Sequence, residues 1–258
     1  MIYKCYIPSP ALQPYIEKYW LLSGFVYEKE IIKLVPDDGG INLLLNLGED
    51  FNSIKFNKEI NHERVYIVGT MTQTDEQVLL GKVLLFGIKF KPGAFSHFYK
   101  FDSLNVYANQ FQELNFKYFP DIKKIIHDFI PYIDQFYLDK LSPPKYSLLN
   151  IISDISDYNG IIKTEKLAKT HFTTVRHLER QFNNQIGISP KEFINLTRFN
   201  KVLYRLQSNN SKTLSEIAWE MGYYDHAHLT NDFKRYTGDP PSAFILSDFS
   251  KSVSTDIR

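Results

Sequence analysis

Two clusters of polar side chains in the second half of this 258-residue chain have the types and spacing to read a nucleic acid. The first follows Thr174 and comprises Arg176, His177, Glu179, Arg180 and Gln181; the second follows Asp225 and comprises His226, His228, Thr230, Asn231, Lys234 and Arg235. Arginine gives paired hydrogen bonds to guanine, asparagine does the same for adenine, and glutamate accepts from the cytosine amino group. Arg176, Glu179, Arg180, His226 and Asn231 are therefore candidates for base edges. Thr174, Lys212, Lys234 and Arg235 are candidates for phosphates, contacts that set position without reading sequence. The plainer alternative is a solvated helix face on which Arg176 and Arg180 pair with Glu179 or a nearby acid. His228 divides between DNA and packing or capping within its own turn.

These side chains need two short, rigid helices. Val175, Leu178, Phe182 and Ile186 recur at three, four and four residues, one face of a helix, which leaves the polar residues outside. Thr173 or Thr174 is the expected N-cap, Gly187 ends the helix, and Ser189-Pro190 starts the next with a cap followed by proline. That next helix runs to about Ser208, where Asn209, Asn210 and Ser211 stop it, and measures roughly 28 Å at about 1.5 Å per residue. Major grooves recur along one face of B-DNA at about 34 Å, so such a helix suits a spacer between two readers. Leu214, Ile217, Ala218 and Met221 mark a further short helix, Gly222 a turn, and Asp225 the cap of the second reader, with Leu229 and Phe233 facing inward. Upstream, Lys163–Ala168 is a short helix, and Leu148, Leu149, Ile152 and Ile155 form an apolar stripe.

The first ninety residues differ in kind. Tyr19 to Val26, Ile31 to Val35, Ile41 to Leu47, Arg64 to Val68, Gln77 to Leu80 and Val83 to Phe90 are β-branched and aromatic runs punctuated by Gly, Asn and Asp. A small sheet or barrel is expected, with Ile41–Leu47 buried on both sides. After Lys91-Pro-Gly93, helical spacing covers Ala94 to Lys100, Asn105 to Asn115 and Pro120 to Asp139, where Ile122, Ile125, Ile126, Phe129 and Ile133 recur at three and four residues. Pro131 should begin a new helix or kink that one. Ser142-Pro-Pro-Lys145 reads as a linker. The expected fold class is thus α+β, with a β-rich domain over 1–140 carrying trailing helices, then an all-α domain over 146–248. Residues 141–145 link them and 249–258 form a polar tail.

Composition narrows the function. Cys5 is the only cysteine, which removes disulfides and thiolate zinc clusters. No uncharged apolar run approaches eighteen residues, and nothing resembles a signal peptide, so a reducing cytoplasm is expected and a membrane is not. The net charge is +1; residues 146–258 hold 14 Lys and Arg against 12 Asp and Glu, and residues 1–145 hold 16 against 17. DNA affinity should therefore rest on charges gathered on one face. Glycine-flanked nucleophiles, phosphate loops and dinucleotide fingerprints are all missing. His62-Glu63 and His97 lack ligand partners at metal spacing, and His97 is expected at the surface or part-buried on a helix. Asp37-Asp38 and Glu49-Asp50 sit in turns and suit turn chemistry. No catalytic site, cofactor or metal is expected. Tyr19, Trp20, Tyr66, Phe86 and Phe90 line either a pocket or, as is commoner in small β-domains, the core.

The pattern Thr174-x-Arg176-x-Leu178-x-Arg180-x-Phe182 with Gly187-x-Ser189-Pro190 resembles the first half of the AraC/XylS DNA-binding domain. Ile217-Ala218, Gly222-Tyr223, Asp225-x-x-His228, Phe233-Lys234, Gly238 and Pro241 resemble its second half. The resemblance covers about residues 146–246 and implies a seven-helix tandem helix-turn-helix and transcription regulation. Leu229, Asn231 and Ile245 stand where that family usually has Phe, Arg and Arg. The N-terminal region is similar to an uncharacterised domain found ahead of such modules, through Tyr19-Trp20, Pro36-Asp37, Asn46-Leu47-Gly48 and Gly87-Ile-Lys-Phe-Lys-Pro-Gly93. The partners implied are double-stranded DNA, a small-molecule effector or a second copy paired through the Pro120–Asp139 region, and, for an activator, RNA polymerase. An enzyme fused to a DNA reader is the remaining alternative.

Overall fold

Eight antiparallel strands open the chain in a computed structural model that describes residues 1–208 and 212–246, side chains of 122–128 and 244–246 excepted. The expected helix stop at Asn209–Ser211, the side chains of Ile122, Ile125, Ile126 and Ile245, and the tail lie outside this description. The strands are β1 (Ile2–Tyr6), β2 (Ile16–Leu34), β3 (Ile41–Asn46), β4 (Phe51–Ser53), β5 (Lys58–Ile60), β6 (Arg64–Val68), β7 (Asp75–Phe90) and β8 (Phe111–Leu114). Their order is β1-β2-β7-β3-β6-β8, and the β4–β5 hairpin hangs on β7. Two pairs of runs that look separate in sequence are single long strands. β2 and β7 pair along their lengths across an irregularity between Val26 and Glu30.

β3 is buried on both faces, as its unbroken apolar run predicts. Leu43 and Leu45 join a core with Phe86, Ile88 and Phe90, whereas Leu44 joins another with Leu22, Leu85 and Phe111. The first core is closed by the aromatic segment after β7 and by α1 (Ile122–Lys140). Tyr137 there meets Phe90 and Phe98 edge-on at 5.4 and 5.3 Å. Tyr19, Tyr66, Phe86 and Phe90 are core residues, while Trp20 looks onto a cavity on the Leu44 face.

Three local expectations need correction. Asn105 to Asn115 is not a helix: a 3₁₀ turn at Asn105–Tyr107 leads into β8, which covers the open edge of β6 and buries Phe111. Capping an exposed edge with a paired strand satisfies its free backbone groups, and this tertiary demand outweighs local periodicity. Pro131 does not begin a new helix; it lies inside α1, which continues through it. Proline removes one backbone bond, but the fully buried Ile133 and Tyr137 hold the following turns in place. His97 is only 2% exposed, on the 3₁₀ turn Phe95–His97, with its ring 5.0 Å from that of Tyr15. Burial lowers the pKa of its imidazole.

Seven helices follow among the described residues: α2 (Leu149–Asp157), α3 (Thr164–Thr170), α4 (Val175–Gln185), α5 (Pro190–Gln207), α6 (Leu214–Glu220), α7 (His226–Thr237) and α8 (Pro241–Leu246). Leu148, Ile151, Leu178, Phe182, Phe199, Ile217 and Phe233 share one core, and Phe199 stacks on Tyr236 at 4.6 Å. The β-domain grips this helical domain at both ends. Leu104 N donates to Asn184 O at 3.0 Å and Ser103 Oγ to Asn183 O at 3.1 Å. Thr70 Oγ1 lies 2.6 Å from Ile186 O and 3.0 Å from Gly39 O. Thr74 N donates to Tyr236 O at 3.1 Å, and Lys33 pairs with Asp239. Each bond contributes roughly 1 kcal/mol net, and together they fix how the helices sit on the sheet.

Candidate nucleic-acid interface

Thr174 begins α4 by accepting the His177 backbone N–H at 3.1 Å, which settles the choice between Thr173 and Thr174 for the cap. Leu178, Phe182 and Ile186 are completely buried, Val175 partly. The helix is thereby turned so that Arg176, Glu179 and Arg180 face outward and are exposed. Among the described residues neither Arg176 nor Glu179 forms an ion pair, so the solvated-ion-pair alternative lacks its central contact. Arg180 Nη2 lies 3.0 Å from His177 Nδ1, and the His177 ring meets Tyr146 edge-on at 4.8 Å. Gln181 is half-buried and accepts from Gln185 Nε2 at 2.9 Å. His177 and Gln181 thus brace the helix, while Arg176 and Glu179 are exposed and Arg180 is exposed in contact with His177. Gly187 closes the unit with φ +98°, and a Cβ there would lie 2.7 Å from Leu104 O, so both backbone and contact require glycine.

The second unit is built on the same plan with different chemistry. Thr213 and Glu216 form a reciprocal capping box at the start of α6. Asp225 Oδ1 accepts the His228 N–H at 2.7 Å to start α7. Leu229 and Phe233 are buried, which leaves His226, Asn231 and Lys234 exposed. His228 is exposed yet tied to its own turn, its Nδ1 taking the Tyr224 N–H at 3.4 Å and its ring meeting Tyr223 at 5.2 Å. Thr230 donates back to His226 O at 2.8 Å. Lys212 pairs with Glu220. Arg235 is engaged internally, with Glu192 at 3.1 Å, Asp232 at 3.4 Å and the Tyr236 ring beneath it at 4.4 Å.

Sequence patterning overlooked three exposed aromatics beside these caps. Phe172 is 99% exposed two residues before Thr174, Tyr224 is 93% exposed immediately before Asp225, and Trp219 on α6 is 83% exposed. Nothing in their spacing sets them apart from core aromatics. Between the two units α5 spans 18 residues, about 27 Å. Ser189 caps it and Pro190 stands at its first position, as expected. Among the described residues there is no grouping of three His, Cys, Asp or Glu able to hold a metal, and no helix long and apolar enough to cross a membrane. A cavity of about 400 Å³ separates the Leu44 face of the sheet from α5.

Comparison with known proteins agrees with the geometry. A helix-turn-helix domain family matches residues 167–246, and a domain of unknown function, DUF6597, matches residues 4–111. The uncharacterized HTH-type transcriptional regulator YdiP of Escherichia coli (strain K12) is 27% identical over 111 residues, 38% of this chain and 36% of that protein. YfiF of Bacillus subtilis (strain 168), likewise described as an uncharacterized HTH-type transcriptional regulator, is 27% identical over 128 residues, 48% of this chain and 39% of that one. The chain therefore spans less than two fifths of the length of these relatives. Among solved structures, ToxT from Vibrio cholerae aligns over 88% of this chain and 97% of its own, with TM-score 0.48 and 12% identity. Another ToxT structure is described as bound by an unsaturated fatty acid. The AraC-like transcriptional activator CuxR aligns over 90% of this chain and 80% of its own, with TM-score 0.24 and 11% identity.

Proposed function

We propose that the chain is a regulator of the AraC/XylS kind, a sequence-specific transcription regulator whose α4 and α7 enter adjacent major grooves. The observation that carries this reading is the paired presentation of α4 and α7. Each is capped, anchored by two or more fully buried apolar residues and turned so that base-reading side chains face outward, and α5 lies between them in the chain. Arg176, Glu179 and Arg180 would read one half-site; His226 and Asn231 would read the other. Thr174 and Lys234 are the phosphate contacts best supported by exposure. Lys212, His177, Gln181, His228, Thr230 and Arg235 are committed to contacts within the protein and act by holding the readers in place. Such a regulator works in the cytoplasm, and, where it activates, alongside RNA polymerase.

A small-molecule effector is favoured over a purely pairing role for the β-domain, because the cavity is bounded by both domains and lies against α5. A ligand shifts an equilibrium only as far as its affinities for the two states differ, and a site lined by both domains is placed for such a difference to arise. The test is competition by the full chain between a duplex recovered from a random pool and a scrambled duplex of equal length, at fixed salt. A specific duplex should bind about 10³-fold or more tightly. Equal affinities would defeat the reading.

A further inference from the structure

The cavity has two kinds of wall. Trp20, Leu22, Leu44, Leu85 and Phe111 of the sheet and Leu203 of α5 make an apolar body. Gly87 makes room for the indole, since a Cβ there would lie 2.0 Å from Trp20 Cε2. At one end stand Glu17, Asp37, Asp38 and Lys89. Lys89 is 2% exposed and lies against Asp37, 2.9 Å from Asp38 and 3.8 Å from Glu17. Lys18 adds a second cation, 3.3 Å from Glu17, and Lys33, which also lines the cavity, is balanced by Asp239.

Three carboxyl groups therefore crowd two ammonium groups at the end of an apolar chamber. Burial raises the carboxyl pKa of Asp37 and of Glu17, and neighbouring carboxylates push the same way. The Lys89 ammonium stays charged despite its burial because those carboxylates surround it. An anionic ligand would meet an ammonium whose partners are already in place and would face their repulsion. A cation would relieve the crowding of carboxyl groups.

We propose that this cavity binds an amphipathic amine, its ammonium group against Asp38 and Glu17 and its apolar body between Trp20, Leu44 and Leu203. The volume of about 400 Å³ suits one small organic molecule. The charged end is also the joint between domains. Asn200 of α5 donates to Asp37 O at 2.7 Å, and the adjacent Gly39 lies against Phe193 and Leu196 of α5. A cation that draws Asp38 and Glu17 towards itself therefore acts on the loop that seats α5, the helix joining both readers. This inference rests on the effector reading above and gives that effector a chemical class.

The test is calorimetric titration of the full chain with three probes of equal length: n-octylammonium, n-octanoate and n-octanol. The ammonium should bind at least tenfold more tightly than the carboxylate or the alcohol. Asp38→Asn should remove that preference, and Leu203→Trp, which fills the chamber from α5, should abolish ammonium binding while folded helix content persists. Octanoate binding as tightly as octylammonium, preference retained in Asp38→Asn, or no binding of the ammonium by the folded wild-type chain would each overturn the proposal. Specific duplex binding, measured separately, tells the two readings apart: if it persists while the ammonium fails to bind, the ligand class is wrong and the DNA-reading role stands.

Discussion

The two helix-turn-helix units use the same skeleton but commit their arginines differently. In the first, Arg176 and Arg180 are exposed and unneutralised by acid among the described residues. In the second, Arg235 is drawn inward to Glu192 and Asp232, and the outward face is left to His226, Asn231 and Lys234. The difference comes from packing. α7 lies over the start of α5, where Glu192 faces it, and Tyr236 reaches that same Glu192 at 3.0 Å. α4 instead runs into the β-domain, so its polar face is not folded back on the helical core. A chain with a net charge of +1 can thus offer one reader built on two arginines and a glutamate and another built on histidine, asparagine and lysine.

Removing the anchors should have the largest effect and should not tell the units apart. Phe182→Ala and Phe233→Ala each empty a fully buried site and should each cost about 3–5 kcal/mol by denaturant titration. A much smaller loss at either would mean that its unit is not anchored as described. Substituting the arginines should separate the units. Arg180→Ala should weaken binding of a selected duplex by about 1–3 kcal/mol and relax base preference in one half-site. Arg235→Ala should lower stability and leave base preference intact; loss of preference there would reverse the assignment.

The caps offer a finer contrast. Thr174→Ala and Asp225→Ala should each destabilise by about 1 kcal/mol, with Asp225 costing more because its charge also faces the helix N-terminus. Equal losses in low salt would remove that distinction. The smallest effect concerns His97, whose Nε2 lies 3.4 Å from Ser147 Oγ just ahead of α2. Buried His97 favours its neutral form in the folded state, so the unfolded chain binds more protons between the lowered folded value and the ordinary value of about 6.5. This contribution to stability is complete above that ordinary value and is lost as pH falls towards the folded one. His97→Gln should flatten the fall in melting temperature over that range; an unchanged slope would place the titration elsewhere.

Much of the helical domain was legible because its determinants are local. The three-and-four spacing of Leu178, Phe182 and Ile186, the caps at Thr174, Ser189 and Asp225, and the glycines at turns act within one or two helical turns. β3 was legible as doubly buried for the same reason. What could not be read depends on distant partners. β8 forms because β6 has an open edge, His97 is buried because an aromatic turn folds beneath the sheet, and β2 continues past Val26 because β7 lies beside it. In the candidate interface, the types and positions of the readers were visible. The inward commitment of Arg235, Thr230 and Gln181 was not, since it depends on Glu192 and on geometry within the helices. Asp37 and Asp38 read as turn residues, and they do accept the Gly39 and Gly40 N–H groups at 3.2 and 3.0 Å. Their pairing with Lys89, 52 and 51 positions away in sequence, appears only in the fold.

The central claim is that two readers of different side-chain chemistry occupy successive grooves. Selection of random duplexes by the full chain and by its Arg180→Ala variant, at one fixed salt concentration, tests it most directly. The wild type should retain a motif of two blocks about one helical turn apart, and the variant should lose base preference in one block while keeping the other. A single block, no motif, or a uniform loss across both blocks in the variant would contradict it.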